Sequence, residues 1–168
     1  MSDHPADACG CEKLDVVTSV DERLTELGIV LPVPFAPVAN YLACSRTGDL
    51  LFVGGHGPTD GTNTIVGKVG TDLSLEEGRS AARMTALSIL ATMRAELGSL
   101  DRVQQVVKVF GMVNVGGDFD QTPAVIDGCS DLLVSVFGEK GRHTRSAVGL
   151  AALPFGIAVE IELIARVE

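Results

Sequence analysis

Tryptophan is absent from the 168 residues, tyrosine occurs once, and aromatic residues make up only 4% of the chain. Proteins that read single-stranded nucleic acid stack bases on aromatic rings, and this chain has almost nothing with which to do so. Positive charge is scarce too: 13 Lys and Arg stand against 22 Asp and Glu, a formal net charge of -9 at pH 7. Such a surface repels a phosphate backbone, which argues against a nucleic-acid partner. No run reaches the roughly eighteen uncharged apolar residues of a membrane span, so no membrane partner is expected. Met1–Pro5 lacks the charged-then-apolar layout of an export signal, and a cytoplasmic location is the expectation. Four cysteines, at 9, 11, 44 and 129, make no disulfide framework in a chain of this size under reducing conditions. His4, Cys9 and Cys11 are too sparse a set to assign a metal. Cys44 and Cys129 read as small core residues. Walker A, H-E-x-x-H and G-x-S-x-G motifs are all missing.

What remains is light and apolar. Hydrophobic residues make up 46% of the chain, and Gly is frequent at 19. Mean hydropathy is +0.31, which excludes a disordered chain. The length fits about one domain. Residues 1–35 read as a polar tail with a short helix, and 36–168 as a single α+β domain. Val20, Leu24 and Leu27 take helical spacing before Gly28, and Ile29–Pro37 carries three prolines and must be extended. Tyr41–Ser45 and Leu50–Val53 are strand-like around the turn Arg46–Asp49. Ser74-Leu75-Glu76-Glu77 forms a capping box, opening a helix that runs to Gly98. Val103–Val115 is a well-covered strand, and Thr122-Pro123 an N-cap and first residue for a helix ending at Gly138. Arg145–Ala151 and Ile157–Val167 are two last strands, expected to pair as a hairpin about Pro154 and Phe155.

The resulting order, β-β-α-β-α-β-β, implies one sheet with two helices on one face. The other face needs a cover that the chain does not supply, and oligomerisation through the sheet provides it. Val109 and Val113 are expected on the face that a neighbour covers.

Three stretches could carry chemistry. Gly54-Gly55-His56-Gly57 is either a tight strand-ending turn or a loop whose bared N–H groups meet a small anion. Arg145 enters an apolar strand, Ser146–Ala151, and must find an anion there, from a side chain or a ligand. Its planar fork suits a carboxylate. Glu160 lies mid-strand: it is either a proton carrier with a raised pKa or, with Glu162, the wet face of an edge strand. His56 and His143 have no Ser or Cys distinguished as a nucleophile partner, which argues against a hydrolase of that type.

Arg145-Ser146-Ala147-Val148, Leu153-Pro154 and Val159-Glu160-Ile161-Glu162 resemble the signature of the Rid family. These are the reactive-intermediate enamine/imine deaminases, also called YjgF-like or L-PSP endoribonuclease-like. Asn40-Tyr41 and Leu50–Pro58 are similar to the family's N-terminal half, and the match spans roughly residues 36 to 167. Residues 1–35 and the longer loops point to an extended branch. The resemblance implies a fold like the chorismate mutase of bacilli, and a homotrimer with sheets around a central barrel and ligand clefts between subunits. Arg145 falls on the family's carboxylate-binding arginine, Glu160 on its water-positioning glutamate and Tyr41 on a cleft-lining tyrosine. Gly55 falls on the glycine whose backbone contacts the ligand, with His56 beside it in the pocket. No metal or organic cofactor is implied. Ala147 stands where many members have cysteine, Gly54 where many have serine, and His56 where an amide is common.

The implied activity is hydrolytic deamination of small 2-imino or enamine acids to 2-keto acids and ammonia. Endoribonuclease activity and a non-catalytic module binding a small carboxylate or a protein are the alternatives.

Overall fold

The computed structural model describes residues 19–34 and 36–168. His4, Cys9 and Cys11 lie outside them.

Ser19 caps the first helix, α1 (Val20–Glu26), and its capping box closes with Glu22. Leu24 anchors α1 in the core, and the Val20 N–H donates to Asp101. β1 (Cys44–Thr47) and β2 (Leu50–His56) form an antiparallel pair. β1 therefore begins three residues after Tyr41. β2 runs further than its sequence implied, through Gly54-Gly55-His56, so those glycines end no strand. The predicted box Ser74–Glu77 opens α2 (Leu75–Leu97), which turns at Gly98 with φ 79°. β3 (Val103–Asn114) is the long strand, and α3 (Thr122–Phe137) follows it. Gln121 rather than Thr122 occupies the N-cap position, with no side-chain cap. Thr122 already lies in the first turn and sends its hydroxyl to the Ala147 carbonyl instead. β4 (Thr144–Leu150) and β5 (Val159–Val167) complete the sheet.

The five strands take the order β1-β2-β5-β3-β4. The expected β4–β5 hairpin does not form. β4 lies parallel to β3, so β3-α3-β4 is a crossover unit, and β5 inserts on the other side of β3, antiparallel to it. Two facts explain the difference. A parallel pair needs a crossover of a dozen or more residues, which α3 supplies. β5 is the richest strand in buried apolar side chains (Val159, Ile161, Leu163, Ala165 and Val167), and it gains most from a central place. Glu160 and Glu162 therefore stand on a central strand, not an edge.

α2 and α3 cover one face. Ala82, Ala86, Ile89 and Met93 of α2 are fully buried there with Val125, Ile126, Cys129 and Leu133 of α3. Burial pushes the Cys129 thiol up to about 12, consistent with a core residue. Gly128 lets the helices approach closely, because a β-carbon there would overlap the Arg79 carbonyl. Val109 and Val113 are fully buried on this helix-covered face, which corrects their expected place opposite a neighbour. Phe110 and Met112 alternate with them and share the other face with Phe52, Val148, Glu160, Glu162 and Ile164. Among the described residues nothing covers that second face, where Phe52 is 43% exposed. Among the described residues no helix is long and apolar enough to cross a membrane.

Candidate functional site

Glu160 is set up by a bulge in β2. Val53 pairs with Leu163 and His56 with Ile161, so β2 has one residue more than β5 over this stretch. Gly54 and Gly55 are left opposite Glu162, and the bulge turns His56 toward the helices. The Glu160 carboxylate rests over Gly55, where a β-carbon would overlap its Oε1. The Glu160 side chain is half-buried, and its carboxylate accepts no hydrogen bond among the described residues. Burial, and secondarily the charge of Glu162, raises its pKa above the ordinary 4.5. Such a carboxylate exchanges protons closer to neutrality than an exposed one.

His56 is 1% exposed, on the helix side of the sheet. Its Nδ1 lies 2.8 Å from the Gly54 carbonyl and its Nε2 2.8 Å from the Thr92 hydroxyl. Burial lowers its pKa, since the charged form is disfavoured there. The ring supports the bulge from behind and is not on the surface where Gly55 and Glu160 meet.

Arg145 lies on β4, at the sheet margin, opposite Val109. Residues opposite one another share a face, so its side chain leaves toward α3. There Nη1 donates to Asp127 Oδ1 at 2.8 Å and to Ser130 Oγ at 3.0 Å. The anion it was bound to find is thus a side chain of this chain. Nη1 has both of its hydrogens engaged, while Nε and Nη2 donate to nothing among the described residues. The Arg145 side chain is about a quarter exposed, at 24%, and its guanidinium can take a carboxylate along its free edge.

Glu160 pairs with Met112, three residues from Val109 on β3. An odd offset puts the two side chains on opposite faces. Two strand spacings across and three residues along place their Cα atoms roughly 14 Å apart. Within one chain, then, Arg145 and Glu160 do not share a pocket. Tyr41, half exposed just before β1, forms a backbone turn with its N–H on the Ala39 carbonyl.

A family model described as "YjgF/chorismate mutase-like, putative endoribonuclease" matches residues 21–167. The chain belongs to this YjgF-like family. Protein TCP17 of Trypanosoma cruzi is 45% identical over 153 residues, which cover 89% of this chain and 96% of TCP17. The crystal structure of Atu1372 from Agrobacterium tumefaciens, described as of unknown function, superposes with a TM-score of 0.83 at 39% identity, covering 89% of this chain and 92% of that one. A "putative endoribonuclease" from Shewanella oneidensis superposes at 0.86 and 30% identity, over 89% of this chain and all of the other. The YjgF-like fold and the Rid resemblance of the sequence agree.

The sequence singles out Arg145, Glu160 and Gly55 as candidates but does not identify what surrounds Arg145. Asp127 and Ser130 are three residues apart, hence neighbours on one helical face, and that spacing was the available signal. His143 also proves to have a serine partner: its Nε2 lies 3.0 Å from Ser130 Oγ.

Proposed function

We propose that the protein is a hydrolytic deaminase of small 2-imino or enamine acids, releasing a 2-keto acid and ammonia, and that it works as a homotrimer with its sites between subunits. The observation that carries the reading is Glu160. It is a half-buried carboxylate with a raised pKa and no hydrogen-bond partner among the described residues, seated over Gly55, which has no side chain to hold it off. The uncovered sheet face supports an assembly. The opposite facing of Arg145 and Glu160 supports sites that take Arg145 from one subunit and Gly55 and Glu160 from the next.

In this mechanism the free Nε–Nη2 edge of Arg145 holds the substrate carboxylate, and Tyr41 flanks the cleft. Glu160 accepts a proton from water as the water oxygen bonds to the C=N carbon. The nitrogen takes that proton to give a carbinolamine. Glu160 then moves the hydroxyl proton to the nitrogen as the C–N bond breaks and C=O forms, and ammonia leaves with the keto acid. General acid–base assistance of roughly 10²–10⁴-fold suits an imine that already hydrolyses readily. His56 acts from behind the sheet, holding the bulge that bares Gly55. A ribonuclease reading has little support, since a chain of net charge -9 with a single tyrosine offers no track for RNA.

The test is ammonia release from 2-iminobutyrate or 2-aminoacrylate generated in situ, with Arg145→Ala as control. Faster release with the wild type and background release with the variant is expected. Equal rates would overturn the reading.

A further inference from the structure

Arg145 sits at the end of a directional chain of hydrogen bonds that its own anion, Asp127, does not require. His143 Nδ1 lies 2.6 Å from the Gly141 carbonyl, which can only accept, so Nδ1 carries the hydrogen. In the neutral ring Nε2 is then an acceptor, and the Ser130 hydroxyl donates to it across 3.0 Å. With its hydrogen so directed, Ser130 Oγ offers a lone pair to Arg145 Nη1 at 3.0 Å. A helical serine ordinarily turns its hydroxyl back to the carbonyl four residues before, as Ser135 does to Asp131 at 2.7 Å. Ser130 is drawn away from that default by His143. The histidine has a fixed seat as well: Gly141 is buried so tightly that a β-carbon would overlap the Leu133 carbonyl of α3.

We infer that Ser130 and His143 are positioning residues that fix the plane of the Arg145 guanidinium and so decide which of its edges meets the ligand. This rests on the reading that Arg145 binds the substrate carboxylate. One bond alone, donated to Asp127, leaves the guanidinium free to swing about Nη1. A second bond to the same nitrogen fixes its plane and presents Nε and Nη2 outward as a pair. Bidentate recognition depends on that plane far more than on charge. The chain needs an uncharged imidazole, and burial together with the neighbouring Arg145 charge keeps the His143 pKa low. The other charges nearby are occupied elsewhere: Glu139 pairs with Arg142 at 3.3 Å and Asp131 with Arg79 at 2.6 Å.

The experiment is a double-mutant cycle on the wild-type oligomer, reading the KM of an imino acid, kcat, and the affinity for 2-ketobutyrate. Ser130→Ala, in a helix that alanine favours, should raise KM and weaken 2-ketobutyrate binding about tenfold, the size of one lost charge-assisted hydrogen bond, with kcat nearly unchanged. His143→Leu should do the same. His143→Gln, whose amide oxygen can stand in for Nε2, should recover most of the loss. In the Ser130→Ala background, His143→Leu should add nothing, because His143 acts through Ser130. Additive losses, or unchanged affinity in Ser130→Ala, would overturn the relay. Arg145→Ala separates the two failures: loss of 2-ketobutyrate binding keeps the carboxylate reading whatever becomes of the relay, and wild-type binding removes both.

Discussion

The carboxylate of Glu160 occupies the space that a side chain on Gly55 would fill. The first prediction follows from that overlap. Gly55→Ala should drive Glu160 off its seat while leaving the fold standing, because the displaced group is the far end of a flexible, half-buried side chain. Deaminase activity should fall on the order of 10²-fold, as for displacements of about 1 Å at reacting groups. The melting temperature should move little. A Gly55→Ala variant with wild-type turnover would separate Glu160 from the chemistry.

Arg145→Lys tests the fork. A lysine keeps the charge, and it can still pair with Asp127, but it cannot present two parallel donors. KM for an imino acid should rise at least tenfold. Full activity with lysine would mean that Arg145 serves only to tie β4 to α3.

Subunit mixing tests the composite site. Arg145→Ala and Glu160→Ala should each be nearly inactive. Refolded together in equal amounts, they should regain about a quarter of wild-type activity, since each intact residue is present in half the subunits. No recovery in mixed oligomers verified by mass spectrometry would put both residues to work within one chain.

The pH dependence carries a sign. In the proposed mechanism Glu160 acts as a base in its ionised form, and its folded pKa is raised, first by burial and then by Glu162. Turnover at saturating substrate should therefore drop as pH falls through a value above 4.5. Glu162→Gln removes a repulsive charge, so Glu160 holds its proton less tightly and the acid limb should shift to lower pH. A limb that stays in place would show that another group controls it.

Assembly has its own discriminating pair. Met112→Asp, on the uncovered face, should yield folded monomers by sedimentation. Val109→Asp, fully buried under the helices, should fail to fold at all. Intact oligomers of Met112→Asp would show that this face is not an interface.

Much of this was legible in the sequence, and the rest was not for definite reasons. The capping box at Ser74, the apolar stripe of α2 and the β-branched run of β3 are local signals, and they hold. Which strand lies beside which is a non-local matter. Leu153-Pro154-Phe155-Gly156 looks like a hairpin turn, yet β5 sits one strand further away because its alternating apolar face is worth more in the centre. Val109 and Val113 could not be assigned to a face from a strand apolar on both sides. Gly54-Gly55-His56 was unreadable for the opposite reason: a bulge shifts parity by one, so the histidine beside Gly55 turns into the core. Arg145's need for an anion was clear, whereas the anion's identity depended on a helix face that only the crossover brings near.

In the proposed composite site, a sheet that sends Arg145 to one side and Glu160 to the other would make each polypeptide two unlike halves of a device. Two copies joined at one contact would hold a single complete site, and a closed ring of three would hold three. Activity per chain would then double on closing the ring, although no residue moves. Dilution would silence the protein well before any strand unpaired, and specific activity that falls with concentration would be its natural behaviour.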